Sequence, residues 1–178
     1  MLHIVYGGSA SGKSSYAESF AMSLQGEGRL LYIATMYPYK WNTTEIDPET
    51  MQRIERHRAM RADKGFDTVE CYRHVEHIVA KRQDVLLLEC MSNLLANEMY
   101  LEPDSNAGSD MAETMSPVSN KIVQALIDLS TRVQELVIVT NDVFSDGGSL
   151  TYDESTREYV KNLAEINCAL AREAATVT

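Results

Sequence analysis

The feature that most constrains this chain is an eight-residue loop, Gly7-Gly8-Ser9-Ala10-Ser11-Gly12-Lys13-Ser14, set between the apolar run Leu2–Tyr6 and a helix-forming stretch. It satisfies the spacing G-x-x-x-x-G-K-[ST], in which glycines let backbone N–H groups wrap phosphate oxygens. Such a loop works only where a strand hands the chain straight to a helix whose positive end faces the anion. The chain is therefore committed to a strand–loop–helix start, and a nucleoside triphosphate site is predicted there. Lys13 is expected to reach the β- and γ-phosphates and the Ser14 hydroxyl to hold Mg²⁺. The competing reading is a Gly/Ser turn with an incidental lysine.

Composition narrows the partners. At 178 residues one α/β domain over 1–178 is expected, long enough to bury a core without staples. The formal net charge of −10 argues against broad electrostatic binding to nucleic acid or to an anionic membrane, and favours small-molecule chemistry. Cys71, Cys90 and Cys168 are odd in number and far apart, with no zinc spacing, so reduced thiols and a cytoplasmic setting are expected. No signal peptide is read at the N-terminus, which runs directly into strand and loop. No apolar run approaches the length of a membrane span.

Strand and helix signals alternate along the chain. Helix is expected over Ser14 to about Leu24, ended by Gly26 and Gly28, and a buried strand over Leu30–Ala34. Thr35 to Ile46 reads as a loop carrying Tyr37, Pro38, Tyr39 and Trp41. Asp47-Pro48-Glu49 reads as an N-cap followed by proline at the first helical position, opening a helix to about Arg61. A short strand at Thr68–Cys71 and a helix near His74–Lys81 follow. Val85–Leu88 is the clearest buried strand and delivers Glu89 at its C-terminal end. Helix is expected at Ser92–Tyr100 and Pro117–Arg132, with a loop from Glu102 to Ser116. Leu136–Val139 is a strand ending at Thr140-Asn141-Asp142, and a turn at Ser145–Ser149 precedes a last helix, about Asp153 to Ala174. This alternation predicts a mostly parallel, doubly wound sheet with helices on both faces and function at the C-terminal strand ends.

That rule gathers the loop, Ala34-Thr35, Glu89 and Thr140-Asn141 at one edge. Glu89 is either an acidic residue near Mg²⁺ or a helix-capping glutamate. Arg53, His57 and Arg61 fall at i, i+4 and i+8 on one helix face, a basic stripe in an acidic protein. The stripe is either solvated surface or a phosphate site, because guanidinium groups suit phosphate as bidentate donors. Cations around an imidazole favour its neutral form, which is a nucleophile. His74 and His77 either share a metal or lie on a solvated helix face. Tyr37, Tyr39 and Trp41 touch a large ligand or a neighbouring subunit, or simply pack their loop. Cys90 reads as a small buried hydrophobe.

These residues carry a resemblance. The loop as GGSASGKS, Tyr32-Ile33-Ala34-Thr35, and Arg53-Ile54-x-x-His57-Arg58-x-x-Arg61 resemble the bifunctional adenosylcobinamide kinase/adenosylcobinamide-phosphate guanylyltransferase family. So do Thr68-Val69-Glu70, Leu87-Leu88-Glu89-Cys90 and Val139-Thr140-Asn141-Asp142, in the same order from Ile4 to Asn167. The histidine block is the most specific part.

The resemblance implies a P-loop NTPase fold and two reactions. ATP or GTP phosphorylates the aminopropanol hydroxyl of adenosylcobinamide. GMP then moves from GTP to the resulting phosphate through a covalent histidine, giving adenosylcobinamide-GDP and pyrophosphate. By position it implies His57 as the nucleophile and Gly7, Gly8, Ser9, Ala10, Ser11, Gly12, Lys13 and Ser14 as the phosphate loop. Ala34, Thr35, Met36, Arg58, Ala59, Met60, Arg61, Glu70 and Glu89 are implied as contacts to nucleotide or metal, with Ser14 and Glu89 at Mg²⁺. A homotrimer is also implied.

The chain departs from the family pattern at Asp142, where glutamate is usual, and at Phe144, where many members have glycine. It also departs at Lys161-Asn162 and Ala164, where Arg-Asp and glycine are usual. The family continues past the positions of Thr176-Val177-Thr178 into a final strand and a Gly-Ile-Pro-like tail. Those three residues are therefore expected to begin a strand. Two other functions fit the residues taken alone: a simple small-molecule kinase in which His57 only holds phosphate, and a non-catalytic nucleotide-binding regulator.

Overall fold

A computed structural model describes residues 1–101, 118–143 and 152–178. The expected loop over 102–116, residue Pro117, Phe144 and the turn at 145–149 lie outside the described residues. Six strands form one all-parallel sheet: β1 (Leu2–Gly7), β2 (Leu30–Ala34), β3 (Phe66–Glu70), β4 (Val85–Glu89), β5 (Glu135–Asn141) and β6 (Thr176–Val177). Their spatial order is β3-β2-β4-β5-β1-β6. Among the described residues five α-helices accompany them: α1 (Lys13–Leu24), α2 (Pro48–Met60), α3 (Met91–Tyr100), α4 (Val118–Arg132) and α5 (Glu154–Glu173).

The strands are apolar on both sides because both faces of the sheet are covered. On one face Leu31, Ile33, Leu86, Leu88, Leu136 and Ile138 pack with residues of α3, α4 and α5. On the other, alternating with them, Tyr32, Val85, Leu87, Val137 and Val139 meet Ala17 and Ala21 of α1. Small residues on α1 bring its axis close to the sheet, holding the phosphate loop against the ends of β1 and β5. Gly12 caps α1 in the left-handed region at φ 85°, which favours glycine, and no side chain caps that end. The first amides of α1 are thus left to face the cleft.

Asp47 and Pro48 start α2 as the sequence predicts, with Asp47 accepting from the Glu49 amide at 3.3 Å and the Thr50 hydroxyl at 2.6 Å. Unlike every other helix, α2 buries none of its residues. Thr176 and Val177 do form a strand, paired in parallel with His3 and Ile4 of β1. One expected element is corrected: no helix spans His74–Lys81, only a single 3-10 turn at Val75–His77. The Glu98 carboxylate accepts the His74 amide at 2.7 Å, and Asn97 donates to the Tyr72 carbonyl at 2.9 Å. His74 is thereby held in the left-handed region at φ 57° while Val75 and Ile78 enter the core. Tertiary contacts override the helical propensity of that stretch.

Candidate functional site

The C-terminal ends of β1, β2, β4 and β5 open onto one cleft of about 610 Å³. Ser9, Ala10, Ser11, Gly12, Lys13 and Ser14 line it from one side, and His57, Arg58, Met60 and Arg61 from the other. Ala34, Met36, Glu70 and Glu89 complete the predicted residues on its wall. Four predicted residues are absent from the lining: Gly7 and Gly8 sit at the base of the loop, Thr35 is fully buried, and Ala59 points elsewhere on α2. Thr35 works from behind. Its hydroxyl donates to the Cys90 carbonyl at 2.9 Å and accepts the Cys90 amide at 2.8 Å, tying β2 to the segment after Glu89.

The cleft has a cationic wall. Lys13 donates to the Gly8 carbonyl at 2.9 Å, which lays its side chain along the loop. Arg58 pairs with Glu70, whose other oxygen accepts from the Tyr72 hydroxyl at 2.9 Å. Arg61 is 6% exposed, and its guanidinium carbon lies 3.4 Å from the centre of the Tyr32 ring. Its Nη1 is buried without a hydrogen-bond partner, a costly arrangement unless an anion approaches. Among the described residues no ion pair reaches Lys13, Arg53, Arg56 or Arg61. Five cations thus face one cleft in an acidic protein, and only Arg58 has a carboxylate partner among the described residues.

Glu89 is half-buried, and its carboxylate accepts from the Tyr32 hydroxyl at 3.1 Å. Burial, reinforced by the Glu89 charge, pushes the Tyr32 phenol far up, so it stays a donor to Glu89 across the accessible pH range. Tyr32 was not singled out by the sequence. The available signal was one hydroxyl inside an otherwise apolar strand, because a buried tyrosine needs a partner. Ser92 and Asn141 were also missed as a pair: Asn141 donates to the Ser92 hydroxyl at 2.6 Å, joining the end of β5 to the first turn of α3 at the cleft. Burial raises the Cys90 thiol, and raises the Cys71 thiol to about 11, so neither is a thiolate nucleophile.

Outside the cleft, His74 and His77 stack at 5.6 Å. Among the described residues, His74, Glu76 and Glu98 are close enough to share a cation. Lys121 already serves them, with its ammonium 3.2 Å from Glu98 and 3.4 Å from His74 Nδ1.

A parallel sheet that presents this loop, a bare helix N-terminus and an acidic strand end to one cleft defines a P-loop NTPase fold. The profile of the family described as cobinamide kinase / cobinamide phosphate guanyltransferase matches residues 3–178, so the chain belongs to that family. The bifunctional adenosylcobalamin biosynthesis protein CobU of Escherichia coli (strain K12) is 31% identical over 151 residues, covering 80% of this chain and 76% of the relative. Its Salmonella typhimurium (strain LT2) counterpart is 31% identical over 150 residues with the same coverage.

Proposed function

We propose that the protein phosphorylates adenosylcobinamide and then transfers GMP from GTP to the product, in one domain and one cleft, through a covalent intermediate on His57. Family membership supports the pair of reactions. The observation that carries the assignment of His57 is its position across the cleft from the phosphate loop, beside Arg53, Arg56 and Arg61, which have no carboxylate partner among the described residues.

In the first reaction the acceptor hydroxyl attacks the γ-phosphorus of ATP or GTP, the bond to the β-phosphate oxygen breaks, and the hydroxyl proton leaves to solvent. Loop amides and Lys13 stabilise the charge on the transferring group. Ser14 and Glu89 present hard oxygen donors to the same cleft, a set that suits Mg²⁺. When bound, that ion would neutralise charge on the phosphates. Tyr32 holds the Glu89 carboxylate in place by its hydrogen bond.

In the second reaction a neutral His57 nitrogen attacks the α-phosphorus of GTP, pyrophosphate leaves, and a phosphoramidate forms. A phosphate oxygen of the acceptor then attacks that phosphorus, breaks the P–N bond and restores the histidine. Arg53, Arg58 and Arg61 are the cations available to the phosphate during both steps. The protein acts as a homotrimer in the cytoplasm. That setting is compatible with three free cysteines and with the lack, among the described residues, of any helix long and apolar enough to cross a membrane.

The test is incubation with α-labelled GTP. The protein is expected to take up label that is labile in acid and stable in base, and His57→Ala to lose it while keeping its γ-phosphoryl transfer to cobinamide. A His57→Ala protein that still forms the GMP adduct overturns the assignment. Transfer of γ-label alone would leave a simple kinase.

A further inference from the structure

A second, larger cavity of about 1210 Å³ lies beside the nucleotide cleft. Glu70 and Tyr72 line both, so one wall one residue thick separates them. The far side of this cavity is the β2–α2 loop, folded as a small hairpin. Tyr39 and Ile46 form an antiparallel bridge, the Lys40 amide donates to the Glu45 carbonyl at 2.9 Å, and the Lys40 and Glu45 side chains pair at 2.7 Å.

Aromatic rings fill the junction between hairpin and wall. Tyr37 lies 5.3 Å from Tyr39, 6.4 Å from Trp41 and 5.4 Å from Tyr72, and Trp41 meets Tyr100 edge-on at 6.3 Å. This is not a core cluster. Trp41 is 52% exposed and Tyr39 and Tyr100 more than a third, so the fold leaves apolar ring faces to water. Polar groups of Asn42, Thr43, Thr44 and His77 rim the same cavity.

We infer that this cavity is the acceptor site, taking the broad body of the corrinoid against the lining rings of Tyr37 and Tyr72, with Trp41 packed on Tyr37, while its hydroxyl tail passes the Glu70–Tyr72 wall to the phosphate loop. The inference rests on cobinamide being the acceptor. Three properties fit that ligand. Its macrocycle is wide, apolar and rimmed by amide side chains, which matches aromatic faces bordered by hydroxyl, amide and imidazole groups. The cavity exceeds the nucleotide cleft in volume, as the acceptor exceeds the nucleotide in size. The shared wall also puts the tail near the phosphates without moving the ring. Glu70 in that wall pairs with Arg58, the neighbour of His57, so the wall that contacts the acceptor also anchors the nucleophile's helix.

The experiment compares wild type with Tyr37→Ala, Trp41→Ala and Val79→Arg. Val79 lines the cavity and is 87% exposed, so a long side chain there obstructs the mouth without disturbing the core. Cobinamide binding is followed by equilibrium dialysis using the visible absorbance of the corrin, beside the KM for cobinamide and the acceptor-free labelling of His57 by α-labelled GTP. Weakening of cobinamide binding by tenfold or more in Val79→Arg and in at least one aromatic variant is expected, with KM rising in step and labelling unaltered. Wild-type binding that changes less than threefold in all three variants overturns the cavity as the acceptor site. A wild-type protein that labels His57 yet binds no cobinamide overturns this inference and the proposed acceptor together, leaving the nucleotide chemistry standing.

Discussion

At the amino ends of the strands, Asp84 is fully buried. It accepts from the Arg29 guanidinium at 2.6 Å, the Arg29 amide at 3.0 Å and the Lys81 amide at 2.8 Å. Nearby, the Glu135 carboxylate is engaged by His3 at 2.9 Å. At the carboxyl ends of the same strands, by contrast, Lys13 reaches only a carbonyl, and Arg61 buries a nitrogen with no partner. Charges at the first edge are matched within the chain and hold the sheet together. At the second, Arg58 is matched by Glu70, but Lys13 and Arg61 have no carboxylate partner among the described residues, which suits the proposed phosphate ligand. The same residue types therefore do opposite work according to which end of a parallel strand they occupy.

The contrast breaks most visibly if a cation of the carboxyl edge proves structural. Lys13→Ala is expected to lower phosphoryl transfer about a thousandfold, equivalent to about 4 kcal/mol of transition-state stabilisation, with an unchanged urea midpoint. Wild-type turnover, or a lost midpoint, would remove the distinction between the edges. At the amino edge the reverse holds. A Cβ on Gly28 would lie 1.8 Å from the Gln83 carbonyl oxygen, where β2 and β4 begin side by side. Gly28→Ala should destabilise the fold by about 3 kcal/mol in urea titrations while leaving KM for GTP unaltered in the folded fraction.

The smallest effect sharpens the comparison through pH. Burial of Asp84 would raise its pKa, but the hydrogen bonds from Arg29 and Lys81 outweigh this and hold the carboxyl below its ordinary value of 3.8. Its contribution to stability is therefore complete above pH 3.8 and is lost as pH falls through the lower folded value. Asp84→Asn should reduce stability by about 2 kcal/mol near neutrality and flatten that acid limb. Denaturation curves between pH 2 and 6 measure both.

Much of this was legible in the residues. Leu30–Ala34 and Val85–Leu88 read as strands because burial on both faces makes them apolar throughout. Asp47-Pro48 announced α2 through capping chemistry that is local. Thr176-Val177 read as a strand from the family pattern together with their place after a long helix. The stretch His74–Lys81 misled, because its conformation is set by Asn97 and Glu98, distant in sequence. For the site, the phosphate loop was legible because its chemistry is contiguous. The Tyr32–Glu89 bond and the Asn141–Ser92 bond join residues about fifty positions apart; the first depends on the register of β2 and β4, the second on where α3 packs against the end of β5.

Helix α2 is joined to the rest at its C-terminal end, by Arg58 to Glu70, by Arg61 over Tyr32, and just beyond it by Lys64 to Glu18. With none of its residues fully buried, tilting it away exposes new apolar surface chiefly at the half-buried Met51 and Ile54, a small cost beside that of moving a core helix. The two orientations of such a lever differ mainly in what its cations touch, so a ligand sets their populations by its differential affinity alone. In the proposed reactions, triphosphate and histidine-bound monophosphate offer charge at different points of the cleft. If His57 is the nucleophile as proposed, the lever that carries it can follow the phosphorus from one reaction to the next while the sheet stays still.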